Sequence, residues 1–507
     1  MSEIDEKMNG VSGGISSPET AQDMQPEVQS DVSPEPDIVQ IDKDAKDGQT
    51  KCPKCGSTDI STNLKTGKLR CNFCRHEFEL ERAFEEDEKI DQLEGFSVGT
   101  GAADIDMEFD NIVTLKCESC GAEVVIDTSR QGQARCHWCR NTLSINNKLP
   151  NGAVPDALLP FKVQKSAAQE KIRDFVEHRK FFAHPTFTKE FTTDNIMSVY
   201  LPYMIVDINA HSSYSGTGEK LVRSYEVTVG RDEDGKEETE TRYDADAYHV
   251  QRNFDIAIDD LTIEASRDKL DTESSEKTTN IINAIMPFDT ENCVKFDANF
   301  LKNATSEKRD VDVKQIRGFA KEKAKDIAKF AANDTMDYDR GVSWDKEEID
   351  IKGESWKAVY LPIWLYSYLQ KKNGKNLLHY IAVNARTEKT MGSVPINYIK
   401  LITVSILIAL FGGIAAYILG TDAVGVDSNW RWLLTLSGPA FFAVMYSKYR
   451  NSDARHYYEI ETKHQIRNLK KEDTFFEHRN GLTNSEISGR NDCDLSGSCF
   501  KMDEFEV

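Results

Sequence analysis

Two sets of four cysteines with identical spacing constrain the fold of this chain more than any other feature. Each set has the form C-x2-C-x15-C-x2-C, and the second lies 65 positions after the first. Fifteen residues are enough for a β-hairpin that brings the second cysteine pair opposite the first. The sets are Cys52, Cys55, Cys71 and Cys74, and Cys117, Cys120, Cys136 and Cys139. The pattern predicts two tetrahedral sites that each bind one zinc ion.

Both predicted zinc ions are structural, because sulfur fills all four positions and leaves none open for water or substrate. We place zinc ribbon 1 at residues 51–80 and zinc ribbon 2 at residues 114–146. Phe73 lies inside the second cysteine pair of ribbon 1, and Trp138 takes the same place in ribbon 2. We expect Phe73 to pack over its own metal core, and for Trp138 packing and recognition both stay open, since an indole is large for so small a core.

Charge and composition bear on the partners of these ribbons. The net charge of −22 argues against broad electrostatic capture of nucleic acid. Ribbon 1 is nevertheless locally basic, and aromatic and basic groups together suit bases and phosphates. Residues 1–50 and 81–113 are rich in acidic and small residues, which predicts a disordered acidic tail and an acidic linker.

Two longer segments, 155–270 and 280–397, share an order of motifs. In each, a Pro-Phe motif precedes an amphipathic helix, a Val-Tyr-Leu-Pro motif and strands, which predicts a duplicated α+β body. The first helix has a capping-box pattern from Ser166 to Gln169. Apolar residues at helical spacing mark the two helices: Ala168, Ile172, Phe175 and Val176, then Ile316, Phe319, Ala320, Ile327, Ala328 and Ala331.

A charge-free run at residues 401–419 matches the thickness of a bilayer core. We predict a first transmembrane helix at 399–420 and a second at 429–447, although Arg431 and Pro439 weaken the second pattern. Basic residues flank the outer ends of the pair, which predicts a multi-pass protein of the cell membrane with both termini cytoplasmic. Residues 448–507 are then a cytoplasmic tail.

Enzyme motifs for phosphate loops, nucleophile elbows and zinc proteases do not occur in the sequence. Asp207, His211 and Ser212 lie close together in the chain, and His379 takes a similar place in the second unit. A proton relay is one reading of these residues, but surface or turn polar residues explain them better. We therefore predict no catalytic residue and no enzyme.

Several motifs together resemble a bacterial, actinobacterial-type family of membrane proteins named for a transcription factor IIB-type zinc ribbon. The motifs are LLPFKV, VYLPYMIVDI, IMPFDTENCVKFDANFL, RDVDV, VYLPIWLYSY and HYIAVNARTEKTMGSVP, with the cysteine ribbon. The resemblance covers roughly residues 51–400 and the apolar hairpin. It implies zinc ligands and a membrane location, and it implies no particular activity.

The predicted architecture is therefore multi-domain, with two small β zinc ribbons, a duplicated α+β body and a C-terminal two-helix transmembrane hairpin. The function that these features favour is a membrane-anchored cytoplasmic interaction or scaffold protein that recruits a protein partner or ligand at the inner face of the bilayer. The alternative is a membrane-tethered regulator that binds nucleic acid through the ribbons. The sequence leaves any small-molecule ligand open.

Overall fold

The fold is known from a computed structural model of the 507-residue chain. It describes residues 38–40, 52–57, 59–63, 68–79, 82–83, 89–99, 112–117, 122–127, 135–140, 143, 148–149, 155–231, 237–265, 283–309, 311–339, 341–372, 375–419, 429–450, 458–483 and 486. Most of the predicted acidic tail, Cys120, the connection at 420–428 and the chain end from 487 onward lie outside these residues.

Strands dominate the described residues. They are β1 (Ile38–Gln40), β2 (Ile60–Thr62), β3 (Leu69–Cys71), β4 (Glu77–Phe78), β5 (Gly95–Val98), β6 (Ile112–Lys116), β7 (Glu123–Asp127), β8 (Lys148–Leu149), β9 (Ala157–Leu158), β10 (Met197–Arg231), β11 (Glu237–Glu264), β12 (Val294–Lys295), β13 (Thr305–Glu307), β14 (Val342–Lys372), β15 (Lys375–Asn384), β16 (Thr390–Gly392) and β17 (Lys463–Leu482). The helices are α1 (Lys165–Glu177), α2 (Pro185–Glu190), α3 (Val313–Asn333), α4 (Tyr398–Leu419), α5 (Ser437–Arg450) and α6 (Tyr458–Glu461).

Three very long antiparallel strands form the centre of the body. β10 pairs with β11 on one side and with β14 on the other, and β15 continues the sheet from β14. Near the start of β10, Val199, Leu201, Tyr203 and Ile205 are all buried, and so are the residues between them. A strand that is apolar on both faces requires cover on both sides, which the helices and the second ribbon supply.

The two Val-Tyr-Leu-Pro motifs lie side by side in this sheet. Leu201 of the first motif is paired with Leu361 of the second, while Tyr200 faces Pro362 and Pro202 faces Tyr360. Segments 155–270 and 280–397 therefore contribute neighbouring strands to one sheet, whereas the sequence predicted two units packed together. The alternation of side chains predicts where a strand lies and which face is buried. It does not predict which strand pairs with it through backbone hydrogen bonds.

The predicted amphipathic helices are confirmed as α1 and α3. Ala168, Ile172 and Val176 of α1 are buried. The predicted capping box of α1 is wrong, because the helix begins at Lys165 and the preceding Gln164 makes no side-chain cap bond. A capping box occurs instead at α3, where Asp312 and Gln315 each accept a bond from the backbone N–H of the other.

Residues after 448 do not remain a separate tail. β17 pairs antiparallel with β11 from Tyr243 to Asp259, so the chain returns to the sheet after the apolar helices. The buried Arg252 guanidinium donates to Asp473, with an Nη2–Oδ2 distance of 3.0 Å, and Arg479 Nη1 lies 2.5 Å from the buried Glu219 carboxylate. Unpaired buried charges are costly, so these two ion pairs fix β17 in its register.

The predicted acidic linker and tail also contribute strands. β5 pairs in parallel with β14, and β1 pairs in parallel with β5 at the edge of the sheet. Gly353 permits this approach, since a Cβ there would lie 2.3 Å from the backbone of Leu93. Parts of 1–50 and 81–113 are therefore ordered against the body.

One helix among the described residues, α4, is long and apolar enough to cross a membrane. Most of its large apolar side chains are exposed, including Ile399, Phe411 and Tyr417. The second predicted span consists of a 3-10 segment at Asn429–Leu436 followed by the 14-residue α5. Pro439 lies in the first turn of α5, where its missing N–H is tolerated, so the regular helix begins there.

Small residues bring these two apolar segments close together. A Cβ on Gly412 would lie 2.1 Å from the Leu434 carbonyl oxygen, and one on Gly438 would lie 2.4 Å from that of Ser405. Close contact at glycine is characteristic of helix pairs in lipid, where packing drives association.

Candidate metal centres

Ribbon 1 is a separate three-stranded sheet of β2, β3 and β4. Its hairpin brings the pair Cys52 and Cys55 opposite the pair Cys71 and Cys74, and all four sulfur atoms lie within 4.8 Å of one another. The Cys52–Cys74 and Cys55–Cys71 sulfur distances are both 3.6 Å. Sulfur atoms around a tetrahedral zinc ion with bonds of about 2.3 Å are about 3.8 Å apart. The four thiols therefore fit one ion of this size.

Each cysteine pair of ribbon 1 is held by a tight backbone turn. Gly56 N–H donates to the Cys52 carbonyl, and Arg75 N–H donates to the Cys71 carbonyl. Both turn residues have positive φ angles, 72° for Gly56 and 62° for Arg75. The N–H of Cys74 also points at the sulfur of Cys71 and lowers the pKa of that thiol to about 6. A thiolate is the form that binds a metal.

Ribbon 2 repeats the turn geometry within the main sheet. Cys117, Cys136 and Cys139 are buried together, with 3.4 Å between the sulfur atoms of Cys117 and Cys139. Arg140 has a φ angle of 64° and donates its N–H to the Cys136 carbonyl, as Arg75 does in ribbon 1. The fourth predicted ligand, Cys120, lies outside the described residues.

The two ribbons differ in how they meet the body. β7 of ribbon 2 pairs with β13, and β13 pairs in parallel with β10, so ribbon 2 extends the main sheet. Ribbon 1 contacts the body through its apolar inner face, where Ile60 and Leu69 share a buried cluster with Phe300. Cys71 lies in the same buried cluster, whereas Phe73 and Arg75 on the outer face of the second cysteine pair are exposed.

The aromatic residue inside the second cysteine pair shows this difference directly. Trp138 is 4% exposed, whereas Phe73 is 81% exposed. Trp138 Nε1 donates to Glu307 at 3.3 Å, and its ring meets Tyr380 edge-on at 5.2 Å. The prediction that Phe73 packs over its own metal core is wrong, because the core of ribbon 1 is closed by Ile60 and Leu69.

The arginine that follows the second cysteine pair is also packed in ribbon 2 and exposed in ribbon 1. The Arg140 guanidinium lies over the Tyr366 ring at 4.6 Å, while Arg75 is exposed. Sequence reasoning missed this pair of residues, although the shared offset of 65 positions relates them as it relates the cysteines. Phe73 and Arg75 therefore form an exposed copy of a surface that, in ribbon 2, is docked.

The polar residues considered for a proton relay are not brought together. Asp207 accepts from the backbone N–H of Asp260 at 2.9 Å, whereas His211 Nδ1 lies 2.9 Å from Asp255. The two residues are four positions apart on β10, which is about 13 Å along an extended strand. Ser212 is fully buried, and His379 Nδ1 lies 3.1 Å from Ser393 Oγ.

A third cluster of ligand-type residues was not predicted. Asp207, Asp259 and Asp260 have oxygen atoms within 4.8 Å of one another. Lys357 Nζ lies 3.7 Å from Asp207, and burial raises the pKa of Asp260 to about 6. The lysine offsets the negative charge that would attract a cation, and the raised pKa shows that burial disfavours the ionised form of Asp260.

Comparison of the chain with protein-family models, with curated proteins and with solved structures finds no match.

Proposed function

We propose that this protein is a membrane-anchored interaction protein in which two structural zinc ions hold the ribbons and ribbon 1 recruits a protein partner. The main support for this proposal is that Phe73 is exposed, whereas Trp138 at the equivalent position of ribbon 2 is buried. An aromatic ring at 81% exposure beside an arginine resembles the side chains that contribute most to protein interfaces. The resemblance to the family of ribbon-containing membrane proteins supports the zinc ions and the membrane location in this proposal.

The charges of ribbon 1 favour protein over nucleic acid as the partner. Lys68 lies 2.7 Å from Glu79, and Arg70 lies 3.9 Å from Glu77, so two of its basic residues are paired with acids. A four-thiolate zinc site adds a net charge of about −2. The ribbon surface is therefore less basic than its lysines and arginines suggest.

A photo-crosslinking amino acid at position 73, in cells that express the full chain, tests this proposal. We expect a discrete protein adduct at position 73 and none at position 476, since Phe476 is also exposed but lies on β17. Arg75→Ala should reduce the adduct without loss of zinc. A nucleic-acid adduct, or equal protein adducts at both positions, would contradict recruitment of a protein through ribbon 1.

Nucleic-acid binding is the second candidate, favoured by the exposure of Lys54, Phe73 and Arg75 on the same ribbon. Such binding weakens steeply as salt rises, because phosphate contacts release counterions. Filter binding of the detergent-solubilised protein to single-stranded nucleic acid across a salt series separates the two candidates. Saturable binding at low salt that is lost in Phe73→Ala would favour this second function.

We further propose that α4 and the segment Asn429–Arg450 both cross the bilayer, with both termini cytoplasmic. The exposed apolar surface of α4 and the glycine contacts with the second segment support a hairpin. Single cysteines at Thr421 and Ser485, with Cys293, Cys493 and Cys499 replaced, test it with a membrane-impermeant thiol reagent on whole cells. Labelling at 421 alone is expected, whereas labelling at 485 would indicate a single span and an external chain end.

A further inference from the structure

A short segment between α1 and α2 lies at the junction of the body with both apolar helices. Asn397 N–H, just before α4, donates to the Phe182 carbonyl, and Phe182 N–H donates to the hydroxyl of Tyr449 in α5. The segment is therefore tied to the start of one apolar helix and to the end of the other. These ends are where a bilayer surface would lie if the helices span it.

Phe181 in this segment is exposed although it is large and apolar. Its ring is 62% exposed, while the neighbouring Phe182 is buried against Phe441 and Tyr449. Lys400 Nζ lies 3.6 Å from the Phe181 ring centroid and donates to the Phe181 carbonyl at 2.7 Å. Lys400 directly precedes the charge-free run of α4, so Phe181 is held at the level where that run begins.

Basic residues lie next to Phe181 in the chain and at the ends of both apolar helices, although the whole chain is strongly acidic. Lys180, Lys400, Lys448 and Arg450 are exposed. Arg179 Nε donates to the Lys448 carbonyl at 3.0 Å, which joins the basic residues of the body to those of α5. Lys180 pairs with Glu177 at 3.2 Å, but Lys400, Lys448 and Arg450 form no ion pair with any carboxylate that the structure describes.

We infer that this junction is a binding site for the headgroups of anionic phospholipids. The inference rests on the proposed membrane anchoring of α4 and α5. An exposed apolar ring at this level buries itself at the boundary of headgroups and acyl chains, and exposed lysines and arginines attract anionic lipid by about 1 kcal/mol each. Phe181 enters the interface, while Lys180, Lys448 and Arg450 contact the phosphates around it.

A lipid-binding role accounts for the contacts that hold Phe181 in its exposed position. Lys400 holds Phe181 outward by contacts to its ring and its carbonyl, so the exposed ring is a fixed feature of the junction. Arg179 is partly buried over the Phe175 ring, and burial lowers its pKa to about 10, so it stays charged at neutral pH. The cluster therefore presents a permanent positive charge to the membrane surface.

Lipid retention by the full-length protein tests this inference. The protein is purified in a neutral detergent with equimolar phosphatidylglycerol and phosphatidylcholine, and the bound lipids are quantified by mass spectrometry. We expect wild type to retain phosphatidylglycerol preferentially. In the K180Q/K448Q variant that preference should fall about 30-fold, since two phosphate contacts are lost.

The matched control is K165Q/K189Q, which removes the same charge at the first turn of α1 and at α2, away from the junction. It should retain the preference, and zinc content should be unchanged in both variants. Equal retention of the two lipids by wild type, or an equal fall in both variants, would overturn the inference. Carbonate extraction of membranes separates the outcomes, because release of wild type would contradict the anchoring itself.

Discussion

The two ribbons share their spacing, their turns and their ligand types, yet ribbon 2 is part of the main sheet and ribbon 1 presents the aromatic residue and the arginine of its second knuckle to solvent. In ribbon 2, Trp138 and Arg140 meet Glu307, Tyr380 and Tyr366 of the body. In ribbon 1, the equivalent Phe73 and Arg75 are exposed. A metal site specifies a local fold, while the residues around it decide whether the surface of that fold is buried or exposed.

Metal removal is the change with the largest expected effect on this comparison. Zinc binding to such sites supplies apparent free energies of about 10–16 kcal/mol, which is also the folding free energy of the ribbon. We expect two zinc ions per chain by elemental analysis. Cys136→Ser should remove one ion and lower the thermal midpoint of the body, whereas Cys71→Ser should remove one ion and leave that midpoint nearly unchanged.

The physical reason is the sheet connection of ribbon 2. β7 pairs with β13, so unfolding of ribbon 2 exposes an edge next to β10. Circular dichroism of the detergent-solubilised variants measures the midpoint. Equal thermal midpoints for Cys136→Ser and Cys71→Ser would show that the two ribbons contribute equally to the stability of the body.

Truncation of the two aromatic residues is the next largest effect. Trp138→Ala should destabilise the protein by about 3–5 kcal/mol, because it leaves a cavity and removes the bond to Glu307. Phe73→Ala should change stability by less than about 0.5 kcal/mol, as expected for an exposed position. Chemical denaturation followed by tryptophan fluorescence for Phe73→Ala, and by circular dichroism for both, measures the difference. A destabilised Phe73→Ala protein would mean that the Phe73 ring itself packs against other residues in solution.

Acid should weaken the part of the body on which ribbon 2 docks. Burial, with the positive charge of Arg450, lowers the pKa of His379 to about 4, and the neighbouring Tyr380 contacts Trp138. Below about pH 6.5 the unfolded chain protonates this histidine while the folded chain does not, so stability falls until about pH 4. The full loss is on the order of 3 kcal/mol. His379→Gln should flatten this part of the pH profile of the thermal midpoint, and an unchanged profile would contradict the assignment.

The smallest expected effect concerns the arginines with positive φ angles. Glycine adopts this conformation without the penalty of a Cβ, so Arg75→Gly should stabilise ribbon 1 by about 0.5–1 kcal/mol. Arg140→Gly gains the same relief but loses the contact with Tyr366, which is worth about 0.5–2 kcal/mol, and should give no gain. Chelator competition for zinc compares the two variants. A similar gain in both would mean that the Tyr366 contact contributes little.

Much of the local structure could be predicted because its signals span few residues. The spacing of the cysteines predicted where each hairpin turns, and Ala168, Ile172 and Val176 predicted the buried face of α1. The charge-free run before Leu419 predicted a long apolar helix, which is α4. Zinc itself, the second span and the orientation in the membrane stay predictions.

β17 is a strand that local sequence signals do not predict. Its residues are mostly polar and exposed, so no alternation of apolar side chains marks a strand. It lies in the sheet because the buried Arg252 and Glu219 need Asp473 and Arg479 as partners. Ion pairs between residues more than 200 positions apart produce no periodic pattern in the sequence, so they could not be predicted from it.

The two metal-binding motifs, the two amphipathic helices and the apolar helix follow from the sequence alone, since each depends on residue types within a short window. Only the tertiary structure decided that ribbon 2 is docked and that Phe73 is exposed. Both outcomes depend on partners distant in the chain: Trp138 bonds to Glu307, 169 positions away. Side-chain chemistry within a motif specifies what the motif can form, but burial depends on the surface that the rest of the chain brings to it.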